Sequence, residues 1–503
     1  MHRRDLLRGL LATASAGLVP AGLLRAAECD PLHEAFHAAL AGHDWLLGWQ
    51  GFDGEALAER TLRWEGRPPA GLSGTLYRNG PARFERAGQR YRHWFDGDGL
   101  VQAWRLRDGA LTHRARMVAT PKFVAEQAAG RFLRTTAGTV IDDAEAVQGN
   151  DDLNVANTSV LHHAGRMYAL WEGGSAWELD AETLHARGPR QWGNAEFAGL
   201  PFSAHPLRDV DGSLWNVGLA AYATTPTLLV WRIDAAGEHA TVAPITLEKR
   251  GYLHSFVQTR RHLVFVLAPW LYRPEADGAF FERMHWTPEA GCEVIVVAKD
   301  ALDRPRRYHL SAGLAFHHTD AHEEADCIAL HACWHADGAA LIDSLSAPMR
   351  GEARPLPASG PLARIELPLD AGEARLSQAG PDRTEFPVWD TRHHDSGGRC
   401  WFTARSDMRS PYLDSVLSWD ARRDRVDRFV YGSDWLVEEH LFVPRSFNAR
   451  RDDGWLLGTA LHLPSRRLCL SVFDAARIAD GPRCRAFLPQ WLPLGFHGSF
   501  VMA

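Results

Sequence analysis

The sequence predicts an all-β fold closed on itself in the manner of a propeller, and three observations predict it. From Gly71 onward the chain runs through short stretches such as Gly74–Arg78, Leu100–Leu106, Met167–Trp171, Leu228–Ile233 and Trp455–Leu461, each of strand length. Between them lie Asp-Gly, Asn-Gly and Gly-Gly pairs, with glycines at 97, 99, 109, 174, 212, 338, 398 and 454, the residues that hairpins want. Third, His205, His254, His317, Glu385, Glu439 and His497 follow one another at steps of 49, 63, 68, 54 and 58 residues. A four-stranded blade takes about 40 to 50 residues, and longer loops stretch that. Side chains projecting from successive inner strands toward one axis would give such a rhythm.

Taken in order, residues 1–27 read as a targeting segment and not as structure. The twin-arginine start Arg3-Arg4-Asp5-Leu6-Leu7-Arg8 leads into the weakly apolar run Gly9–Leu24 and the small residues Ala26-Ala27. This points to the bacterial export machinery for prefolded proteins and to the periplasm. A short membrane anchor is the alternative, opposed by Pro20 and the Gly/Ala content of the run. Glu28 before Cys29 is wrong for a lipoprotein site. Residues 31–63 have room for one or two short helices, for example around Ala35–Leu40. Further strands are expected at His93–Phe95, Ser213–Ala220, His262–Leu267 and Glu293–Val297, and a helix over Phe123–Phe132.

Of 503 residues, 46% are hydrophobic and 23% charged, an ordinary globular balance that allows a large core. Loss of residues 1–27 removes four arginines and one aspartate and takes the formal net charge from −7 to −10. Such a chain is a poor match for nucleic acid. Cysteines 29, 292, 327, 333, 400, 469 and 484 form no Cys-x-x-Cys pair, and most read as buried small residues.

The chain carries 25 histidines, so any selection among them needs context. His205 stands in Ser203-Ala204-His205-Pro206, at a strand end. His254 is the polar break in the alternating run Tyr252–Val257. His317 follows Phe316 and precedes His318. His497 lies between Gly495 and Gly498 with two phenylalanines, an oddly ordered way to approach a chain end, which normally frays. If His497 works, this segment must return to the centre of the fold. For each the alternative is a satisfied core histidine, and no two show the i, i+4 spacing of a helical metal site. The run Asp96-Gly97-Asp98-Gly99 lacks the downstream spacing of a calcium loop and reads as a tight turn.

From about Glu65 onward the chain resembles the carotenoid cleavage oxygenases, which include stilbene-cleaving dioxygenases. The resemblance is carried by Glu65-Gly66-Arg67-Pro68, by Gly74–Pro81 and by His93-Trp94-Phe95-Asp96-Gly97-Asp98-Gly99. It continues through Val155–Thr158, Leu170-Trp171-Glu172, Ala204-His205-Pro206, Phe316-His317-His318, Glu385-Phe386-Pro387, Glu439–Pro444 and Gly495–Gly498. It implies a seven-bladed β-propeller with a lid of loops and short helices over the iron-bearing face, formed by residues 28–503 as one domain. It further implies one Fe(II) per chain held by His205, His254, His317 and His497, with Glu172, Glu385 and Glu439 behind them. A glutamate accepting the second N–H of an imidazole fixes its tautomer and orientation. Four neutral imidazoles without a carboxylate would differ from the commoner facial triad. The pattern selects His317 over His318, which strand alternation would turn away from the axis. Asp320 and His322 stand where asparagine and an aromatic are common.

The reaction implied is cleavage of an electron-rich C=C bond by O2 to two carbonyl products, with an apolar small-molecule substrate and no organic cofactor. Tyr91 and Lys122 fall where stilbene cleavers hold and ionise a phenol; an exposed helix-start lysine is the alternative for Lys122. Leu267–Tyr272 and Phe280-Phe281 could supply an apolar surface for peripheral membrane contact. An iron-dependent isomerase or hydrolase on the same scaffold, and a non-catalytic binding propeller, are the competing functions.

Overall fold

The computed structural model describes residues 30–370, 372–393 and 398–503; the segment expected to direct export lies outside them. Seven sheets of four or five antiparallel strands follow one another along the chain as the blades of a propeller. The first blade runs outward from Gly74–Arg83 through Asp98–Arg107 and Ala110–Met117 to Ala56–Leu62. Blades two to six occupy residues 159–189, 207–246, 257–310, 322–382 and 384–430, and the seventh spans 435–487.

Two exchanges close the ring. The strand Gly498–Met502 inserts as the innermost strand of the first blade, pairing with Gly74–Arg78. Glu65–Gly66 joins the outer edge of the seventh blade against Cys484 and Arg485. Gly74–Arg83 is therefore flanked on both edges and buried along its whole length, whereas Ala110–Met117 alternates between buried and more accessible positions, as a strand with one packed face should. The turn between Asp98–Arg107 and Ala110–Met117 is Asp108-Gly109, with φ of 51° and 77°. Both values suit the hairpin turns whose twist matches that of the strands.

Three short helices occur among the described residues. Helix α1, Pro31–Gly42, begins with Asp30, whose carboxylate accepts from Leu32 N–H at 3.0 Å, and with proline in its first turn. Helix α2, Pro121–Ala129, has Thr120 as its cap and ends at Gly130 with φ of 66°, the left-handed residue that stops it. Helix α3 is Gly338–Ser344. The expected strand at His93–Phe95 is instead a single 3-10 turn, Trp94–Asp96, because His93 Nδ1 accepts from Phe95 N–H at 3.1 Å and folds the backbone locally. The room for helices in 31–63 is taken by α1 and a 3-10 turn at Asp44–Trp49, but its end, Ala56–Leu62, is a strand. All six cysteines among the described residues are free, five of them buried. No helix among the described residues is long and apolar enough to cross a membrane.

Candidate metal centre

Each blade-interval histidine sits just before an innermost strand. His205 precedes Leu207–Arg208, His254 precedes Val257–Gln258, His317 precedes His322–Glu324, and His497 precedes Gly498–Met502. The four side chains converge, with one nitrogen of each within 4.8 Å of the others. His205 Nε2 is 2.9 Å from His254 Nε2, and His317 Nε2 is 3.1 Å from His497 Nε2. His318 stays out of this group and meets Ser255 Oγ through Nδ1 at 3.0 Å.

Three of the four rings are backed by carboxylates. His317 Nδ1 lies 2.7 Å from Glu385 Oε2, His497 Nδ1 lies 2.8 Å from Glu439 Oε1, and His254 Nδ1 contacts Glu172 Oε1. Glu172 also accepts from the Tyr252 hydroxyl at 3.2 Å. With Nδ1–H donating to a carboxylate, Nε2 carries a lone pair pointed inward. The opposed lone pairs of His317 and His497, 3.1 Å apart, repel unless a cation lies between them. The donor set therefore fits a divalent transition metal held by four neutral imidazoles.

Electrostatics agree with that reading. Burial drives His497 down to about 4 despite the pull of Glu439, and drives His205 well below the usual histidine range with the neighbouring imidazoles adding to it, so both are neutral ligands near pH 7. Burial alone would raise Glu385, but hydrogen bonds from His317 and His335 outweigh it and hold the carboxylate down at about 2.

Backbone irregularities aim two of the carboxylates. The pairing of Thr384–Trp389 with its neighbour shifts register between Glu385 and Val388, and Phe386 has φ of 53°. In the seventh blade the register shifts between Val437 and His440. Strand alternation would send Glu438 and Glu439 to opposite faces; the bulge leaves both buried. Glu439 Oε2 accepts from Arg78 Nη1 at 2.9 Å and from Gly498 N–H at 2.8 Å, while Glu438 accepts from Thr459 and Gly495. Arg78 and Glu438 thus belong to the support of this centre. Arg78 stood inside Gly74–Pro81, a stretch already singled out in the sequence, but nothing local revealed its partner 361 residues away.

A cavity of about 1750 Å³ opens onto the histidines. Phe95, Phe281, Phe316, Phe386, Phe496 and Trp171 line it near the centre, and Leu341 and Leu345 close it from the lid. Trp270 and Tyr272 are buried, and Phe281 stacks on Trp270 with ring centroids 5.4 Å apart. The segments expected to offer apolar surface to a membrane are thus largely folded inward: Phe280 and Phe281 line this cavity, because the hairpin Trp270–Tyr272 with Met284–Trp286 packs over it.

Tyr91 and Lys122 do meet, with Lys122 Nζ donating to Tyr91 Oη at 2.7 Å, but neither lines the cavity. Lys122 also donates to Asp98 Oδ1 at 2.8 Å and to Glu126 Oε2 at 3.0 Å. Arg86 approaches the same two carboxylates at 3.3 and 3.6 Å. Lys122 is fully buried and not exposed at the helix start. Burial pulls Lys122 down, yet Asp98 and Glu126 outweigh it and keep the ammonium charged; burial and the same acids push Tyr91 well up. Here the pair belongs to an internal ion network. Asp96 likewise accepts from Gly138 N–H at 2.9 Å and Thr139 Oγ1 at 2.7 Å, so both aspartates of the turn are occupied by protein donors.

A sequence model for the family described as retinal pigment epithelial membrane protein matches residues 52–502. Isoeugenol monooxygenase of Pseudomonas nitroreducens is 28% identical over 471 residues, 88% of this chain and 94% of that protein. Lignostilbene-α,β-dioxygenase isozyme III of Sphingomonas paucimobilis is 27% identical over 471 residues, with 88% and 94% covered. A solved mutant of Synechocystis apocarotenoid oxygenase superposes with a TM-score of 0.81 at 24% identity, covering 92% of this chain and 98% of that one, and shows the same propeller.

Proposed function

The chain belongs to the retinal pigment epithelial membrane protein family, the carotenoid cleavage oxygenases, and on that premise we propose that it is a non-haem Fe(II) dioxygenase that splits a C=C bond of a carotenoid, apocarotenoid or stilbenoid with O2. The observation that carries this reading is the cage of four inward Nε2 atoms with carboxylates behind three of the rings. Iron(II) bound there would supply the O2 chemistry. The chain's own part is positional. Glu172, Glu385 and Glu439 hold three imidazole tautomers; Arg78 and Gly498 N–H hold Glu439. The phenylalanines and Trp171 give the alkene an apolar, water-poor wall. Two C–O bonds form while the C=C and O–O bonds break, and both oxygen atoms leave in the two carbonyl products. No proton or external electron enters the balance, so no acid–base residue is required.

Within that reading an extended apolar alkene, such as an apocarotenoid, is favoured. The cavity has the volume for it, and the cation that would stabilise a phenolate is engaged with Asp98 and Glu126. A phenolic phenylpropene or stilbene is the second reading, favoured by the names of two relatives. The deciding experiment is a panel of apocarotenals and 4-hydroxystilbenes with iron-loaded protein, in air and without O2. Aldehydes formed only with O2 support the proposal; iron-loaded protein that cleaves neither class sinks it, and O2-independent conversion transfers the chain to the isomerase alternative. Periplasmic location through twin-arginine export is part of the same proposal.

A further inference from the structure

A second group of ligand-type side chains lies outside the propeller axis. His33 and His37 are one turn apart on α1 and so share a face. Glu85 comes from the hairpin Glu85–Arg86 with Gln89–Arg90, whose turn residues Ala87 and Gly88 have φ of 49° and 74°. His37 Nε2 lies 3.1 Å from Glu85 Oε2, His33 Nε2 lies 3.7 Å from the same oxygen, and the two rings are 4.5 Å apart. One nitrogen from each ring and one carboxylate oxygen fall within 4.8 Å of one another. A hydrogen bond explains His37 but not His33, which is beyond hydrogen-bond reach.

We propose that His33, His37 and Glu85 bind a divalent cation of the zinc type, tying helix α1 to this hairpin. The spacing suits it. Bonds of ~2.0–2.2 Å in a tetrahedral arrangement put neighbouring ligand atoms about 3.3 Å apart, and the observed 3.1 and 3.7 Å bracket that value. Two imidazoles and one carboxylate match the preference of zinc and its neighbours, not of calcium or magnesium.

The carboxylate is anchored for the purpose. Arg90 Nη1 engages Glu85 Oε1, which also lies 3.2 Å from His37 Nε2, while Oε2 is the oxygen that approaches both rings. Arg90 is itself buried, donating to Trp49 O at 2.7 Å and Met349 O at 2.9 Å, and its guanidinium lies over the Phe36 ring of α1. The ligand side chains are 26%, 37% and 16% exposed, so the group faces outward, with access for a cation and for water as fourth ligand.

The test is to equilibrate full-length protein and its H33A/H37A variant with Zn2+, remove unbound metal, and count zinc per chain. The expected difference is one equivalent, whatever the four-histidine cage holds. Excess zinc should also raise the melting midpoint of the parent by about 2–5 °C more than that of the variant. The single variants H33Q and H37Q, at half-exposed positions, guard against misfolding of the double variant, and each should weaken zinc binding at least tenfold. Equal zinc content and equal zinc-induced melting shifts in parent and variants would overturn the proposal.

Discussion

Glu439 lies between two residues that the chain supplies far apart: its Oε1 is 2.8 Å from His497 Nδ1, and its Oε2 is 2.9 Å from Arg78 Nη1. The carboxylate thereby orients one imidazole of the four-histidine group while being held itself. Replacing Glu439 by Gln keeps the size but removes the charge that fixes the His497 tautomer. Metal affinity should fall about 10- to 100-fold, measured by competition with a chelator, with the secondary structure unchanged by circular dichroism.

His497→Ala and a truncation before residue 497 separate ligand from strand. The substitution should lose iron yet melt close to the metal-free parent, because Gly498–Met502 still pairs with Gly74–Arg78. The truncation should lose iron and also melt well below it. Full iron occupancy in the truncated protein would remove His497 from the ligand set.

Lys122→Met leaves Asp98 and Glu126 buried with one cation fewer. Breaking such a network by removing one partner costs about 3–5 kcal/mol. The expected outcome is a large drop in melting temperature and an equal loss of turnover on phenolic and non-phenolic alkenes. Selective loss on 4-hydroxystilbenes at unchanged stability would return Lys122 to the substrate.

Asp96 gives a pH dependence. Burial raises it from 3.8 to about 6, against hydrogen bonds from Thr139 and Gly138. The folded state therefore prefers the protonated form, so this contribution to stability is complete below about pH 3.8 and is lost as pH rises through 6. The gap corresponds to ~3 kcal/mol. Asp96→Asn should gain stability relative to the parent between pH 4 and pH 7.5, followed by thermal melts across that range.

The export expectation is checked by changing Arg3-Arg4 to Lys-Lys. Protein recovered from the periplasm should fall by at least tenfold, and unchanged recovery would reassign residues 1–27.

Much of the site was legible because it is written once per blade. His205, His254, His317 and His497 each break an apolar context just before an inner strand, and their spacing exposes the ring. What stayed hidden depends on contacts at long range or on irregular backbone. Adjacent Glu438 and Glu439 should face opposite ways, and only a bulge brings both inside. The Lys122–Glu126 pair is visible at i, i+4, but Asp98, which completes the network, joins it only in the fold. The run Leu267–Tyr272 shows its apolarity in sequence and not its direction, which the hairpin packed over the cavity decides.

Ring closure also sets a clock. His317 and His497 are 180 residues apart, so a ribosome must add about a further third of the chain before the fourth histidine of the group exists. That histidine emerges with the strand that locks the first blade, so an unfinished chain lacks both the closed ring and the complete four-histidine group.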